Sequence, residues 1–175
     1  MDLGLTSKTV VVTGGSGGIG HGLVVEFARE GANVVSASRD VATGEKLAGI
    51  AAAQGCRGRV LPVGTDVTDR ASVDAMIAVA HEEFGPVDIL VNNAGGVKST
   101  YAFKDLDDET RRWEIALNID GVVNCTLAVA DDMLSRRTGS VINIQFLAAG
   151  RSRTEHRPLW RGEGLREQLY QAPRL

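Results

Sequence analysis

Short β-branched runs recur along this chain, and each is followed by a stretch of helical period. The spacing predicts strands over 9–13, 33–38, 59–63, 87–92 and 140–144, and helices over 18–30, 41–54, 72–84 and about 107–137. Runs such as Val10-Val11-Val12 and Ile89-Leu90-Val91 are apolar at consecutive positions. Both of their faces must therefore be covered, as in the central strands of a parallel sheet flanked by helices. Repeated strand and helix with right-handed crossovers give a doubly wound α/β sheet, with ligands expected at the carboxyl ends of its strands.

At 175 residues, 43% hydrophobic and with formal net charge −3, the chain holds enough apolar side chains for one core and needs no second domain. Its apolar runs fall far short of the ~20 residues that span a bilayer. The N-terminal residues hold no apolar signal core. A cytoplasmic setting is expected, and slight acidity gives no reason for nucleic acid or an anionic membrane as partner. Cys56 and Cys125 stand far apart without metal or disulfide spacing. His21 and His81 have no second ligand at helical spacing and His156 sits in the C-terminal stretch, so no metal is expected. Trp113 in the long helix reads as a packing residue rather than a stacking platform.

The string Thr13-Gly14-Gly15-Ser16-Gly17-Gly18-Ile19-Gly20 lies between the first strand and the first helix. That context distinguishes a dinucleotide cradle from a merely flexible loop. Glycines permit the sharp turn and leave no Cβ to hold off a pyrophosphate, and the helix N-terminus favours negative charge. The fold expected is therefore of Rossmann type. After the second strand, Ser38 and Arg39 occupy the place where the adenosine ribose is read. An arginine there can pair with a 2′-phosphate, which favours NADP over NAD. Asp40 follows at once and pulls the other way, and an arginine just past a strand is often plain surface.

The glycine pattern at 13–20, Asp66-Val67 after the third strand, Asn92-Asn93-Ala94-Gly95 after the fourth, and Asn118 in the long helix stand in a fixed order. On these four motifs the chain resembles the short-chain dehydrogenases/reductases over residues 5–144, and the 3-oxoacyl-carrier-protein reductase and hydroxyacyl-CoA dehydrogenase types in particular. The resemblance implies an NAD(P)-dependent oxidoreductase that moves a hydride between nicotinamide and a small carbonyl or secondary alcohol. It implies that Gly14, Ser16, Gly17, Gly18, Ile19 and Gly20 hold the cofactor together with Ser38, Arg39, Asp66, Val67, Asn93, Ala94 and Gly95. Asp66 would bond the adenine amino group, and Asn118 would hold a water in the proton relay. Without the resemblance, Asp66 reads equally as a helix-cap or turn aspartate and Asn92-Asn93 as a strand-ending turn.

The same resemblance implies a serine near 146 and Tyr-x-x-x-Lys beginning near 159, to polarise the substrate oxygen and transfer its proton. Phe146, Leu159 and Glu163 stand there instead. None of them can donate or stabilise in that way. Tyr170 with Arg174 is only a superficial substitute, eleven residues late. Composition changes at the same place. Residues 1–144 carry 13 basic and 19 acidic side chains, whereas 145–175 carry 6 and 3, with every base an arginine and no valine or isoleucine. The domain reading is thus a cofactor-binding part over 1–144 and an aberrant arginine-rich tail over 145–175, with the sheet truncated after its fifth strand.

Codons offer a reason. Leu159 to Gly164, written CTA-TGG-CGN-GGN-GAR-GGN and read one base later, allow Tyr-Gly-Ala-Ala-Lys, and Gln145-Phe146 in the same phase allow Ser-Ser. A one-base slip near codon 145 would therefore restore serine, tyrosine and lysine at the expected places, and sequencing the gene across codons 140–175 tests it. Relatives of roughly 250 residues would add the tyrosine-bearing helix, two further strands and the substrate segment. Without these, the fifth strand is expected to be an exposed apolar edge, the family's homotetramer is not expected, and the chain reads either as an oxidoreductase by descent or as a non-catalytic nucleotide-binding fragment.

Overall fold

The computed structural model describes residues 3–98 and 106–144. Five strands, β1 (Thr9–Thr13), β2 (Asn33–Ser38), β3 (Val60–Gly64), β4 (Ile89–Asn92) and β5 (Ser140–Asn143), form one parallel sheet in the order β3-β2-β1-β4-β5. Helices α1 (Gly18–Arg29), α2 (Val41–Ala53), α3 (Arg70–Phe84), α4 (Asp108–Ile115) and α5 (Gly121–Arg136) alternate with the strands. This is the expected α/β sheet of Rossmann type, with β1 at its centre and fully buried.

The apolar pattern sorts the helices onto two faces. Val10, Val12, Val34 and Val91 turn toward Val24, Val25 and Ala28 of α1 and Leu47 of α2. Val11, Val35 and Leu90 turn toward Val73, Met76, Ile77 and Ala80 of α3 and Cys125, Val129 and Met133 of α5. Alternation along each strand feeds one layer and then the other, and spacings of three and four feed each helix face. Where helix and loop come closest the sequence has glycine: a Cβ at Gly121 would meet the Val67 side chain at 2.8 Å.

Local signals fix the helix ends. The Asp69 carboxylate accepts from the Ala71 N–H at 3.0 Å, so α3 starts two residues before the point that periodicity suggested. It ends at Gly85, whose φ is +85°. At the opposite end of the sheet from the glycine loop, the Arg136 guanidinium donates to the Val87 carbonyl at 2.6 Å and pairs with Asp132 at 2.8 Å. That ties the end of α5 to the entrance of β4.

The expected helix over 107–137 is continuous but not uniform. Between α4 and α5, residues Ala116–Asp120 form a π-turn. Such turns widen the helix by one residue and often lie at functional sites. Strand β5 pairs only with β4 among the described residues, and Val141 and Ile142 are 40% and 44% exposed, as expected for an apolar edge strand.

Candidate functional site

Four motifs distant in sequence meet at the carboxyl end of β1 and β4. Thr13, at the end of β1, is the stitch between two of them. Its hydroxyl accepts from the backbone N–H groups of Asn93 and Ala94, both at 3.0 Å, and donates to the Val91 carbonyl at 3.3 Å. The Asn93 amide donates in return to the carbonyls of Thr13 at 2.9 Å and Gly14 at 3.3 Å. Gly14 has φ +65°, and a Cβ on it would stand 3.0 Å from the Ala94 Cα. Only glycine fits where the two loops press together.

The far side of the loop is open. Nothing lies within 4 Å of a Cβ built on Gly17 or Gly18, and Gly18 has φ +53°. Gly17 begins α1 with no side-chain cap, and the first turn holds no acidic residue. The first N–H groups of this helix therefore have no acceptor from a capping side chain, and they lie at an exposed loop with the helix dipole behind them. Ser16 is half-buried beside them, Gly20 is buried, and Ile19 is 65% exposed. The residues present fit a phosphate group.

At the end of β2, the Ser38 hydroxyl donates to the Asp40 carbonyl at 3.0 Å. Asp40, which weighed against a 2′-phosphate in the sequence, is committed elsewhere. Its two oxygens accept from the Thr43 N–H at 3.0 Å and the Thr43 hydroxyl at 2.6 Å, capping α2. Those two bonds, the hydroxyl first, hold its carboxyl below the usual carboxylate range. Arg39 is exposed and makes no ion pair among the described residues.

Asp66 serves as a turn residue, as one reading of the sequence allowed. One carboxylate oxygen accepts from the Thr68 hydroxyl at 2.7 Å and the Thr68 N–H at 2.9 Å. The other oxygen has no hydrogen-bond partner among the described residues. The bonds from Thr68, with the charge of Arg39 adding to them, lower its pKa. Val67 beside it is buried, and its carbonyl accepts from Asn124 at 3.0 Å.

Asn118 lies in the middle of the π-turn. Its side-chain oxygen accepts from the Gly96 N–H at 2.9 Å, and its amide donates to the carbonyls of Gly96 and Glu114, both at 2.8 Å. A Cβ on Gly95 would meet that oxygen at 2.9 Å. Glu114 and Trp113 extend the grip: the Glu114 carboxylate accepts from the Lys98 N–H at 3.0 Å, and the Lys98 ammonium lies 5.0 Å from the Trp113 ring centroid. Trp113 lies half-buried beside the loop, and a Cβ on Gly96 would stand 3.9 Å from its ring.

Sequence reasoning missed Thr13 as the stitch, Gly96 as the partner of Asn118, and the role of Asn92. The Asn92 amide donates across to Asn143 at 2.8 Å and to Thr126 at 3.2 Å, joining β4 to β5 and α5. The strand-ending asparagine pair was the only available signal for that bond. Cys125 is fully buried, which pushes its thiol up to about 12, and Cys56 is half-buried; both are free. Among the described residues no group of His, Cys, Asp and Glu could hold a metal, and no helix is long and apolar enough to cross a membrane. Phe146, Leu159, Glu163 and Tyr170 lie outside the described residues.

Residues 8–157 match the family model described as short chain dehydrogenase, a match that runs past Ile144 and stops before Leu159. Oxidoreductase UcpA of Salmonella typhimurium is 43% identical over 139 residues, which are 79% of this chain and 51% of that protein. An uncharacterized oxidoreductase of Staphylococcus aureus strain USA300 is 38% identical over 146 residues, 82% of this chain and 60% of that one. The L-sorbose reductase of Gluconobacter frateurii, solved with NADPH and L-sorbose, superposes with a TM-score of 0.75 at 34% identity, over 82% of this chain and 54% of that one. The chain thus spans between half and three-fifths of the length of these relatives. With its parallel sheet, its glycine cradle and the joined motifs at 66, 92–95 and 118, the chain belongs to the short-chain dehydrogenase family.

Proposed function

We propose that this chain is the cofactor-binding part of an NADP-preferring short-chain oxidoreductase, and that as a 175-residue polypeptide it binds the cofactor without turning over substrate. The observation that carries the first half is the division of labour between Arg39 and Asp40. A carboxylate that would bond a 2′-hydroxyl is engaged at both oxygens by Thr43, and the guanidinium beside it is in no ion pair among the described residues. The NADPH held by the sorbose reductase neighbour supports the same preference.

In this reading Gly14, Ser16, Gly17, Gly18, Ile19 and Gly20 take the pyrophosphate and its flanks. Ser38 and Arg39 take the 2′-phosphate, Asp66 and Val67 border the adenine, and Asn93, Ala94 and Gly95 border the nicotinamide end. Bound nicotinamide supplies the hydride that relatives exchange with a carbonyl or secondary alcohol. The protein's own part is to hold and to exclude. The unpaired Asp66 oxygen accepts a donor from the base, and Asn118 fixes the loop through Gly96. Proton transfer in relatives runs through serine, tyrosine and lysine, and here Phe146 and Leu159 have no exchangeable proton while Glu163 carries the wrong charge to steady a phenolate.

Fluorescence titration with NADPH and NADH tests both halves, with carbonyl-dependent oxidation followed in the same cuvette. Tighter binding of NADPH without turnover is expected. Arg39→Ala should weaken NADPH roughly tenfold, one charge-assisted contact, and leave NADH alone. Equal affinity for the two cofactors refutes the role given to Arg39. Turnover refutes the second half and directs attention to Tyr170.

A further inference from the structure

Lys98 is held in place by an aromatic ring rather than by an acid. It follows the Asn93-Ala94-Gly95 stretch, which borders the nicotinamide end in the reading proposed above, and it is exposed. Its ammonium lies 5.0 Å from the centroid of the Trp113 ring and is in no ion pair among the described residues. The carboxylate of Glu114, next to Trp113 on α4, is engaged by the backbone instead, accepting from the Lys98 N–H at 3.0 Å. A salt bridge would fix the ammonium and also neutralise it. A ring face fixes it and leaves its charge and its N–H donors available to a ligand.

Gly96 ties this cation to the site. A Cβ on Gly96 would stand 3.9 Å from the Trp113 ring and 3.8 Å from Leu117, and Asn118 holds both the N–H and the carbonyl of Gly96. Lys98 is two residues further on, at most about 7 Å along the chain. Val97, between them, is 68% exposed. Outward from Gly95, the segment therefore offers an apolar surface first and a fixed positive charge after it. A small carbonyl compound with a short apolar spacer and an anionic end matches that order. One ammonium balances one negative charge, which fits a carboxylate, whereas a phosphate monoester carries close to two charges near neutrality and calls for a second cation. Arg112 adjoins Trp113 in sequence but projects about 100° away around the helix.

We propose that Lys98, held against Trp113, is a specificity-determining residue that seats the carboxylate of a small oxo-acid substrate. The proposal deepens the cofactor reading and rests on it for the position of the nicotinamide. The Trp113 indole N–H reports on the seat, and Trp160→Phe removes the second indole signal from the spectrum. Proton–nitrogen spectra of the full chain, titrated with levulinate and with its neutral methyl ester at constant ionic strength, test it, first without NADPH and then at saturation. The acid should shift the Trp113 resonance with a half-saturating concentration about threefold or more below the ester's, the size of one exposed charge contact. Lys98→Gln should remove that advantage and Lys98→Arg should keep most of it, with circular dichroism as the check on folding. Bound NADPH should lower the half-saturating concentration of the acid at least about twofold, because the nicotinamide closes the other side of the site. Equal responses to acid and ester, an advantage that survives Lys98→Gln, or a response to the acid that bound NADPH leaves unchanged overturns the proposal. A chain that binds no NADPH refutes the cofactor reading instead, and the comparison of acid and ester then decides on Lys98 alone.

Discussion

Replacing Thr13 by valine should cost more than any other substitution of equal size in the sheet. The side chain is 1% exposed, and valine fills the same volume, so no cavity enters the difference. The hydroxyl uses its whole capacity, two lone pairs and one proton, on two backbone N–H groups and one carbonyl. Valine leaves the half-buried Asn93 and Ala94 N–H groups without that acceptor, at about 1–1.5 kcal/mol each, and deprives the Val91 carbonyl of a donor, for a loss of about 3 kcal/mol. Thr9→Val is the matched control at the other end of β1. There the hydroxyl makes one bond, to the Phe84 carbonyl at 2.9 Å, so the expected loss is about 1 kcal/mol. Urea unfolding should show both as shifts in midpoint at unchanged slope. In a thermal scan Thr13→Val should fall by roughly 10 °C and Thr9→Val by about 3 °C. Equal losses for the two variants would refute the view that Thr13 is the stitch between the glycine loop and the Asn93 segment.

Gly14→Ala should destabilise by roughly 1–3 kcal/mol and weaken NADPH binding, because its backbone is left-handed and Ala94 leaves no room; a titration and an unfolding curve that both match the parent would contradict this. Thr68→Val should raise the Asp66 pKa toward the ordinary carboxylate value, seen by NMR titration of the side-chain carboxyl, since the Thr68 hydroxyl is the first cause of its depression. The sign of the linked stability follows: Asp66 titrates lower in the folded chain than in the unfolded one. Its contribution is therefore complete above about pH 4 and is lost as pH falls through the folded value, and the variant should lose less between those limits. Asn118→Ala should release Gly96 and broaden the amide resonances of residues 94–98 in proton–nitrogen spectra, and sharp, unmoved signals would show that the grip is not needed.

The alternation of strands and helices was legible because each β-branched run is bounded by turn residues and each helix repeats its apolar face. The start of α3 was not, since periodicity begins at the first buried residue whereas the cap at Asp69 sets the first turn two residues earlier. In the site, the glycines could be read from context. The commitment of Asp40 could have been, because an aspartate three residues before a threonine at a helix start is a capping pattern. The π-turn left no trace in Ala116-Leu117-Asn118-Ile119-Asp120: it coincides with the bonds of the Asn118 side chain to Gly96, a tertiary contact that no local pattern records.

The two cysteines fall on opposite sides of the sheet, Cys125 among the side chains of α3 and α5 and Cys56 against those of α1 and α2. Neither is in a disulfide, and their access to solvent differs: one thiol is fully buried with its pKa pushed up to about 12, the other half-exposed. They therefore form a pair of clocks for the two layers. A thiol reagent should mark Cys56 in the time of local fluctuations and Cys125 only when the layer over β4 opens. The ratio of the two labelling rates, followed with and without NADPH, would tell which side of the sheet the cofactor holds shut.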